Sequence, residues 1–273
     1  SDWSSDVCSS DLTKLHGAPT GAEAPHGAPA GQVAPLVTGG GPAVTVLKAG
    51  GIVGKVLLRG TPPPEKEIPM DPACGALHPA KKPTTRFFVV GTNSGLADVF
   101  VVLTRTAAWE SWTPPETLVE IRQRGCEYLP YVTVAQVGQI ICVFNDDPLM
   151  HNVHPMPTAD GNKESNRSQL PKGLPLDFSF AAPEMLLRFK CDVHPWMFAY
   201  VNVVEHPFFG VTDAEGSFAL PEPPPGDYAV RFMHRKAGAR LVPLKVVSGL
   251  ARELTVTFDL NNRDVGDPPQ PVQ

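Results

Sequence analysis

One short segment of the chain combines a thiol, an imidazole and a thioether. This segment, 191–197, reads CDVHPWM and contains Cys191, His194 and Met197. A trigonal copper site uses two imidazoles, one thiolate and a weak axial thioether. A second imidazole is available upstream, in the segment 150–154, which reads MHNVH. The sequence therefore contains every ligand type that such a copper site requires.

These ligands lie where a predicted strand gives way to a loop. Buried Cys and Met are ordinary core residues, so chance is the simplest alternative explanation. The apolar residues Leu186, Leu187 and Phe189 predict a buried strand. Pro195 follows His194 directly and forces a turn that a continuing strand would not accept. Their position at a strand end favours a metal-binding loop over a chance occurrence of these three residue types.

The spacing Cys-x2-His-Pro-x-Met resembles the ligand loop of the cupredoxins, the small blue copper proteins of the amicyanin and plastocyanin type. The upstream segment 148–153, PLMHNV, resembles their His-Asn-Val segment. The resemblance implies a Greek-key β-sandwich in which one copper ion is bound between two loops. It also implies the ligand set, which is His151, Cys191, His194 and Met197.

Two polar residues near the first predicted ligand have separate expected roles. The resemblance implies that the Asn152 side chain ties the two ligand loops together, as the surroundings of metal ligands generally require. On an extended strand, residues three apart point to opposite faces, so His151 and His154 reach one metal only if the loop curls. The resemblance favours His151. His154 stays open as an alternative ligand or as a solvent-facing side chain.

Composition favours an all-β protein. The chain has 273 residues, with 31 Pro and 24 Gly, and this proline content argues against a helical fold. The formal net charge is −5 without a basic cluster, which argues against nucleic acid as a partner. No apolar run is long enough to span a membrane. Short β-branched and aromatic runs predict strands at 51–58, 86–90, 99–103, 132–134, 139–144 and 198–204.

A different pattern begins after the ligand region. The turn signals Asp-x-x-Gly and Pro-Pro-Gly-Asp bracket an alternating strand within 210–230. This pattern resembles the carboxypeptidase regulatory-like, transthyretin-like β-sandwich module, which is usually a structural or binding unit. The chain is predicted to begin with a disordered segment and an Ala/Gly/Pro-rich linker at 1–42 and to end with a disordered tail at 263–273. Between them we predict a cupredoxin-like domain at 43–204 and a regulatory-like module at 205–262.

The whole region 51–260 is similar to bacterial plastocyanin-like proteins of the methylamine-utilisation type. The shared segments are 52–56, 71–74 and 125–130, which read IVGKV, DPAC and GCEYLP. The sequence departs from that pattern at Tyr131, where a His is expected in such proteins. Any metal-binding role of this position is therefore in doubt.

The five cysteines are expected to differ in role. Residues 1–12 resemble translated sequencing-adapter sequence, which could have replaced a natural start, so Cys8 is set aside. Cys142 lies within an apolar predicted strand, while Cys74 and Cys126 lie in loops and could pair in an oxidising compartment. Other pairings and free thiols stay open. Because a copper thiolate must remain unpaired, Cys74–Cys126 is the predicted disulfide and Cys191 is the predicted free thiol.

The predicted function is single-electron transfer by one type 1 copper, between redox protein partners in the periplasm or outside the cell. A missing signal or lipid anchor could tether the protein to a membrane. The edge of His194 is the expected electron port, with Trp196 and Phe198 shielding the metal. The alternatives are copper storage or delivery, a scaffold without redox activity, a zinc site, and an enzyme with a second copper. In storage or delivery, extra weak ligands would be His78, His154, His206 and His234, and some of these would bind the second copper of an enzyme.

Overall fold

The structure is a computed structural model that describes Cys8 and residues 51–105 and 110–262. The predicted disordered segments 1–42 and 263–273 lie outside this part, apart from Cys8. Within it the prediction of an all-β fold is confirmed, with sixteen strands in four sheets. No helix among these residues is long and apolar enough to cross a bilayer.

The strands are short and separated by turns that contain Gly, Pro, Asn or Asp. One four-residue helix, α1, spans Pro72–Gly75. The strands are β1 (Ile52–Arg59), β2 (Phe100–Thr104), β3 (Val119–Gln123), β4 (Tyr128–Leu129), β5 (Val132–Gln136), β6 (Ile141–Asn145), β7 (His151–Met156), β8 (Arg167–Gln169), β9 (Leu176–Phe178), β10 (Glu184–Lys190), β11 (Phe198–Val204), β12 (Phe209–Val211), β13 (Ser217–Leu220), β14 (Gly226–His234), β15 (Gly238–Val246) and β16 (Arg252–Asp259).

Strands β3 to β11 form one sandwich, which we call the ligand sandwich because it carries the predicted metal ligands. Its two sheets have the orders β5-β11-β10-β7-β8 and β4-β3-β6-β9. Ile121, Val143, Phe189 and Val201 are fully buried between these sheets. β7 and β11 both flank β10, so the loops at their ends meet at one edge of the sandwich.

The remaining strands form a second sandwich, called the flanking sandwich, with sheets β13-β1-β16 and β12-β2-β14-β15. This pairing differs from the predicted division at 204/205, which placed β1 and β2 with the copper domain. β1 runs parallel to β16 from Ile52↔Arg252 to Arg59↔Asp259, and β2 pairs with β14. The reason is burial, because a segment of about 55 residues has too little apolar surface for a core of its own.

One predicted strand is absent. The segment 86–90 lies outside the sixteen strands, and only Val90 forms an isolated bridge. The backbone N–H groups of Phe87 and Phe88 donate to the Glu65 carboxylate at 3.1 and 2.7 Å. The Glu65 side chain therefore accepts the hydrogen bonds that a partner strand would accept. The segment 86–90 is held as part of the connection between β1 and β2 and does not form a strand.

The two sandwiches pack against each other through an aromatic cluster. Tyr131 and Tyr200 are buried there, with ring centroids 5.7 Å apart. Arg235 donates from Nη1 to the Tyr131 hydroxyl at 2.8 Å and lies over the Tyr200 ring. Burial raises the pKa of Tyr131 to about 12 although Arg235 acts in the opposite direction. Tyr131 therefore serves the contact between the sandwiches.

The flanking sandwich contains a buried histidine that should make its stability depend on pH. Nδ1 of His234 accepts the backbone N–H groups of Lys236 and Ala237 at 3.3 and 3.0 Å, so the ring is held neutral. Burial, assisted by the nearby Arg235, lowers the pKa of His234 to about 4. Above pH about 6.5 the ring is neutral in both states and contributes no pH dependence.

Between pH about 6.5 and 4 the unfolded state takes up this proton and the folded state does not. We therefore expect His234 by itself to lower the free energy of unfolding by about 3 kcal/mol over this range as the pH is lowered. His206, whose pKa burial also lowers to about 4, adds to the total slope. Urea unfolding at several pH values measures this slope. His234→Asn, which retains an acceptor near Nδ1, should reduce the slope, and an unchanged slope would assign the pH dependence to other groups.

Candidate metal centre

Three of the four predicted ligands meet in the ligand sandwich. His151 begins β7, Cys191 follows β10, and His194 lies in the loop before β11. Their ligand atoms all lie within 4.8 Å of one another and all three residues are buried. The two Nδ1 atoms are 3.0 Å apart, and Sγ of Cys191 is 3.7 Å from Nδ1 of His194. Two imidazoles and one thiol thus share one small space.

Carboxylates face the outer nitrogens of both imidazoles. Nε2 of His151 is 2.9 Å from Oδ2 of Asp147, and Nε2 of His194 is 3.5 Å from Oδ2 of Asp71. An imidazole whose Nε2–H faces a carboxylate keeps its Nδ1 lone pair free for a metal. Both rings are therefore oriented with Nδ1 toward the Cys191 sulfur, as metal ligation requires.

Asp147 was missed by the sequence analysis. Its carboxylate also accepts the backbone N–H groups of Gly125 and Cys126 at 2.6 and 2.8 Å. Burial alone would raise the pKa of Asp147, but the hydrogen bonds from His151 and from these two N–H groups lower it. The available signal was its place in an Asn-Asp-Asp-Pro turn four residues before His151.

Asn152 connects the two loops that carry the predicted ligands. Its Oδ1 accepts the backbone N–H of Asp192 at 2.7 Å and lies 3.2 Å from Sγ of Cys191. Its Nδ2 donates to Oδ1 of Asn166 at 2.5 Å. The Asn152 side chain is buried, whereas its partner Asn166 lies at the exposed end of this network. One amide thereby fixes the position of the thiol relative to β7.

The ligand loop closes on itself before β11. The backbone N–H of Cys191 donates to the carbonyl oxygen of Met197 at 3.0 Å. The backbone N–H of Met197 donates to the carbonyl oxygen of His194 at 2.9 Å. Met197 is 1% exposed and packs in the core of the ligand sandwich. The loop thus brings its last residue back beside its first one, within an apolar surrounding.

Cys191 is the only free cysteine among the described residues. Burial would raise the pKa of its thiol, but its interaction with His151 and the backbone groups of Asn152, His194 and Val193 lowers it. The thiol proton, which must be lost when a metal binds, is therefore lost more easily here than from an ordinary cysteine. The pKa of His151 is raised despite its burial, because Asp147 and Cys191 favour its charged form. Burial, reinforced by the neighbouring His151, lowers the pKa of His194.

The other histidines lie elsewhere. His154 contacts two carboxylates, with Nδ1 2.7 Å from Asp192 and Nε2 2.5 Å from Glu164. Within 51–105 and 110–262, no group of three or more closely spaced potential ligands includes any of the four histidines proposed for a second copper. These are His78, His154, His206 and His234.

A connection between β1 and β2 covers the edge of His194. We call residues 60–87 the strap. Cys74 of α1, which lies in the strap, forms the predicted disulfide with Cys126. The Trp196 ring centroid lies 5.4 Å from that of His194, and its Nε1 donates to the Cys126 carbonyl at 3.2 Å. His194 is 6% exposed, so only a small part of the ring edge that was expected near the surface as an electron port is accessible.

A second disulfide corrects the cysteine assignment. Cys8, which the sequence analysis set aside, is joined to Cys142 of β6. The two cysteines are separated by 134 residues, and both are buried. Sequence reasoning missed this bond because nothing in the local pattern around Cys8 indicated a partner. Cys142 is therefore a bonded core residue.

No protein-family model matches the sequence, and the curated proteins contain no significant match. Solved structures that resemble this fold include a copper-containing nitrite reductase from Thermus scotoductus, with 19% identity and a TM-score of 0.30 over 38% of this chain and 25% of that chain. A mutant of amicyanin in its Cu(I) form matches with 18% identity and a TM-score of 0.28, over 32% of this chain and 81% of that chain.

A purple cupredoxin from Nitrosopumilus maritimus matches with 22% identity and a TM-score of 0.27, over 31% of this chain and 98% of that chain. The present chain thus spans a quarter of the nitrite reductase but most of the two smaller proteins. Similarity at this level says nothing about activity, so the functional assignment must come from the side chains of the site.

Proposed function

We propose that the protein is a type 1 copper protein that carries single electrons. The observation that carries this proposal is the convergence of two imidazole ring nitrogens and one free thiol within 4.8 Å in a buried space. The ligands would be His151, Cys191 and His194, with Met197 as the weak axial ligand. Such a mixed nitrogen and sulfur set suits copper, whose Cu(II)/Cu(I) couple supplies the electron-transfer chemistry.

The surrounding residues hold the ligands in place without help from a metal. Asp147 fixes the His151 ring, and Asn152 fixes the loop that carries Cys191. Ligands that are already fixed need little rearrangement when the charge of the bound ion changes by one. Met197, the proposed axial ligand, is also buried. These features favour an electron carrier over a site that must open to bind a substrate.

The test is to add Cu²⁺ to the full-length protein and record its visible absorption and EPR spectra. We expect about one tightly bound copper per chain and an intense thiolate-to-copper band with a type 1 EPR signal. Cys191→Ser should abolish both, since it removes the only free thiol of the described residues. His154→Ala is the matched control, because His154 lies outside the cluster and should leave both signals unchanged.

A colourless copper complex, or a copper signal that is insensitive to Cys191→Ser, would contradict the proposal. Zinc binding in preference to copper under competition would point instead to a structural metal site. Binding of two or more tightly held copper ions would favour storage, delivery or catalysis. The arrangement of the other histidines in the described residues offers no support for such a second site.

The setting of this activity is also proposed. Disulfides persist in oxidising compartments, so the Cys74–Cys126 bond supports a periplasmic or extracellular location. The electron donor and acceptor would be redox proteins. The resemblance to the methylamine-utilisation type and the regulatory-like nature of the C-terminal module rest on sequence segments alone. For the module, we propose a structural role, since β1 and β2 complete its sheets.

A further inference from the structure

The Cys74–Cys126 disulfide lies directly beside the candidate metal centre. The two sulfur atoms and a ring nitrogen of His194 all lie within 4.8 Å of one another, and all three residues are buried. The Cys126 sulfur is also within 4.8 Å of ligand atoms of Asp147 and His151. A bond that only fastened the strap would not need to contact a metal-binding imidazole.

We infer that reduction of this disulfide creates a second metal site, formed by Cys74, Cys126 and His194, which binds Cu(I). Two thiolates and one imidazole form a soft ligand set, and soft thiolates select Cu(I). This site goes beyond the electron-transfer proposal and shares only His194 with it. Its formation depends on a reductant, because the disulfide leaves neither sulfur available as a thiolate.

The chemistry requires a two-electron reductant such as a dithiol. The S–S bond breaks, the two sulfurs gain two electrons and two protons to become thiols, and the dithiol is oxidised to its own disulfide. Cu(I) then displaces both thiol protons as it binds, without a change in its oxidation state.

The backbones of both cysteines are anchored independently of the disulfide. The N–H of Cys74 donates to Oδ1 of Asp71 at 2.9 Å, and the N–H of Cys126 donates to Oδ2 of Asp147 at 2.8 Å. Trp196 additionally donates to the Cys126 carbonyl. Oδ2 of Asp71 also lies 3.5 Å from Nε2 of His194, so a contact other than the disulfide links α1 to the ligand loop. We therefore expect the two thiols to stay close together after reduction, although the rest of the strap is less restrained.

The spacing of the cysteines suits a shared metal ion. Their Cα atoms are 5.8 Å apart. Metal–sulfur bonds of about 2.3 Å place two sulfurs roughly 4 Å apart, which side-chain rotation can reach from this Cα spacing. An ion bound between Cys74 and Cys126 would be separated from Cys191 by the imidazole ring of His194. The site would therefore lie on a direct route for copper between the strap and the candidate centre.

The experiment uses full-length protein with Cys191→Ser, in which the thiolate of the first site is absent. A phosphine reduces the protein without denaturant and is then removed under nitrogen. Cu(I) is titrated in competition with a chromophoric Cu(I) chelator, and the ultraviolet thiolate-to-Cu(I) band is recorded. We expect about one more Cu(I) bound per chain in the reduced protein than in the oxidised protein.

Two further variants in the same background assign this ion. Cys74→Ser with Cys126→Ser should remove the additional binding, while the thiols of Cys8 and Cys142 remain as an internal control. His194→Asn should weaken it by at least about tenfold, with an unchanged thiol count. Circular dichroism establishes that each variant is folded, and His194→Asn keeps the test informative if the double serine variant does not fold.

Equal Cu(I) binding by reduced Cys191→Ser protein and its double serine variant would overturn the inference. Failure of the phosphine to reduce Cys74–Cys126 without denaturant, established by mass spectrometry of alkylated protein, would overturn it as well. The outcome is separate from the electron-transfer proposal. Wild-type protein that stays colourless with Cu²⁺ would contradict that proposal and leave a thiol-dependent Cu(I) site intact.

Discussion

Replacing both Cys74 and Cys126 with serine should lower the free energy of unfolding by about 4 kcal/mol. The disulfide spans a sequence separation of 52 residues, so it removes much of the loop-closure entropy of the unfolded chain. Both cysteines are fully buried, and the strap that contains Cys74 includes no strand of the described sheets. Urea unfolding followed by circular dichroism measures this loss.

The paired control replaces both cysteines with alanine. Similar losses for the serine and alanine pairs would assign the effect to the missing bond, whereas a loss confined to the serine pair would assign it to two buried hydroxyls. Hydrogen exchange provides a second observable, because the amides of residues 60–87 should exchange faster once the strap is released. Unchanged stability in both variants would show that other contacts alone hold the strap.

Replacing Asn152 with alanine should weaken copper binding by about 10–100-fold, as expected when a contact that orients metal ligands is removed. The substitution leaves the backbone N–H of Asp192 without its acceptor at 2.7 Å and removes the Oδ1 atom 3.2 Å from the Cys191 sulfur. We also expect the metal-free protein to lose about 1–3 kcal/mol of stability. Competition with a chelator of known affinity measures the change in copper affinity. Thermal unfolding of the metal-free protein measures the change in stability.

Asn166→Ala is the control for this experiment. Asn166 contacts the side chains of Asn152 and Asp192 from the exposed side, and has no contact with the Cys191 sulfur among its hydrogen bonds. Its replacement should change copper affinity much less. Equal effects of the two substitutions would mean that the Asn152 amide acts on the surface network instead of on the thiol.

The strap changes how electrons would have to reach the candidate centre. Asp71, the disulfide and Trp196 lie around His194, so only a small part of its ring is accessible to a partner in this conformation. Trp196 belongs to the same loop as His194, whereas Asp71, Cys74 and Cys126 are distant from it in the sequence. No local signal in the sequence places the strap over the ligand loop.

The sequence by itself determined the all-β class, and it predicted the candidate ligand types and their place at a strand end. These properties depend on residues a few positions apart, because side-chain alternation, turn residues and ligand spacing are local patterns. It also indicated the Cys74–Cys126 bond, since Cys191 had another expected role. The ligand loop 191–197 was therefore identifiable before any tertiary contact was known.

Only the tertiary structure decided which distant segments meet. Ile52 pairs with Arg252 across the sheet of the flanking sandwich, and this pairing moved β1 out of the predicted copper domain. The positions of Asp147 behind His151 and of Cys8 beside Cys142 are equally nonlocal. Strand patterns specify that a residue faces a core, but the partner is chosen by the burial of the whole chain.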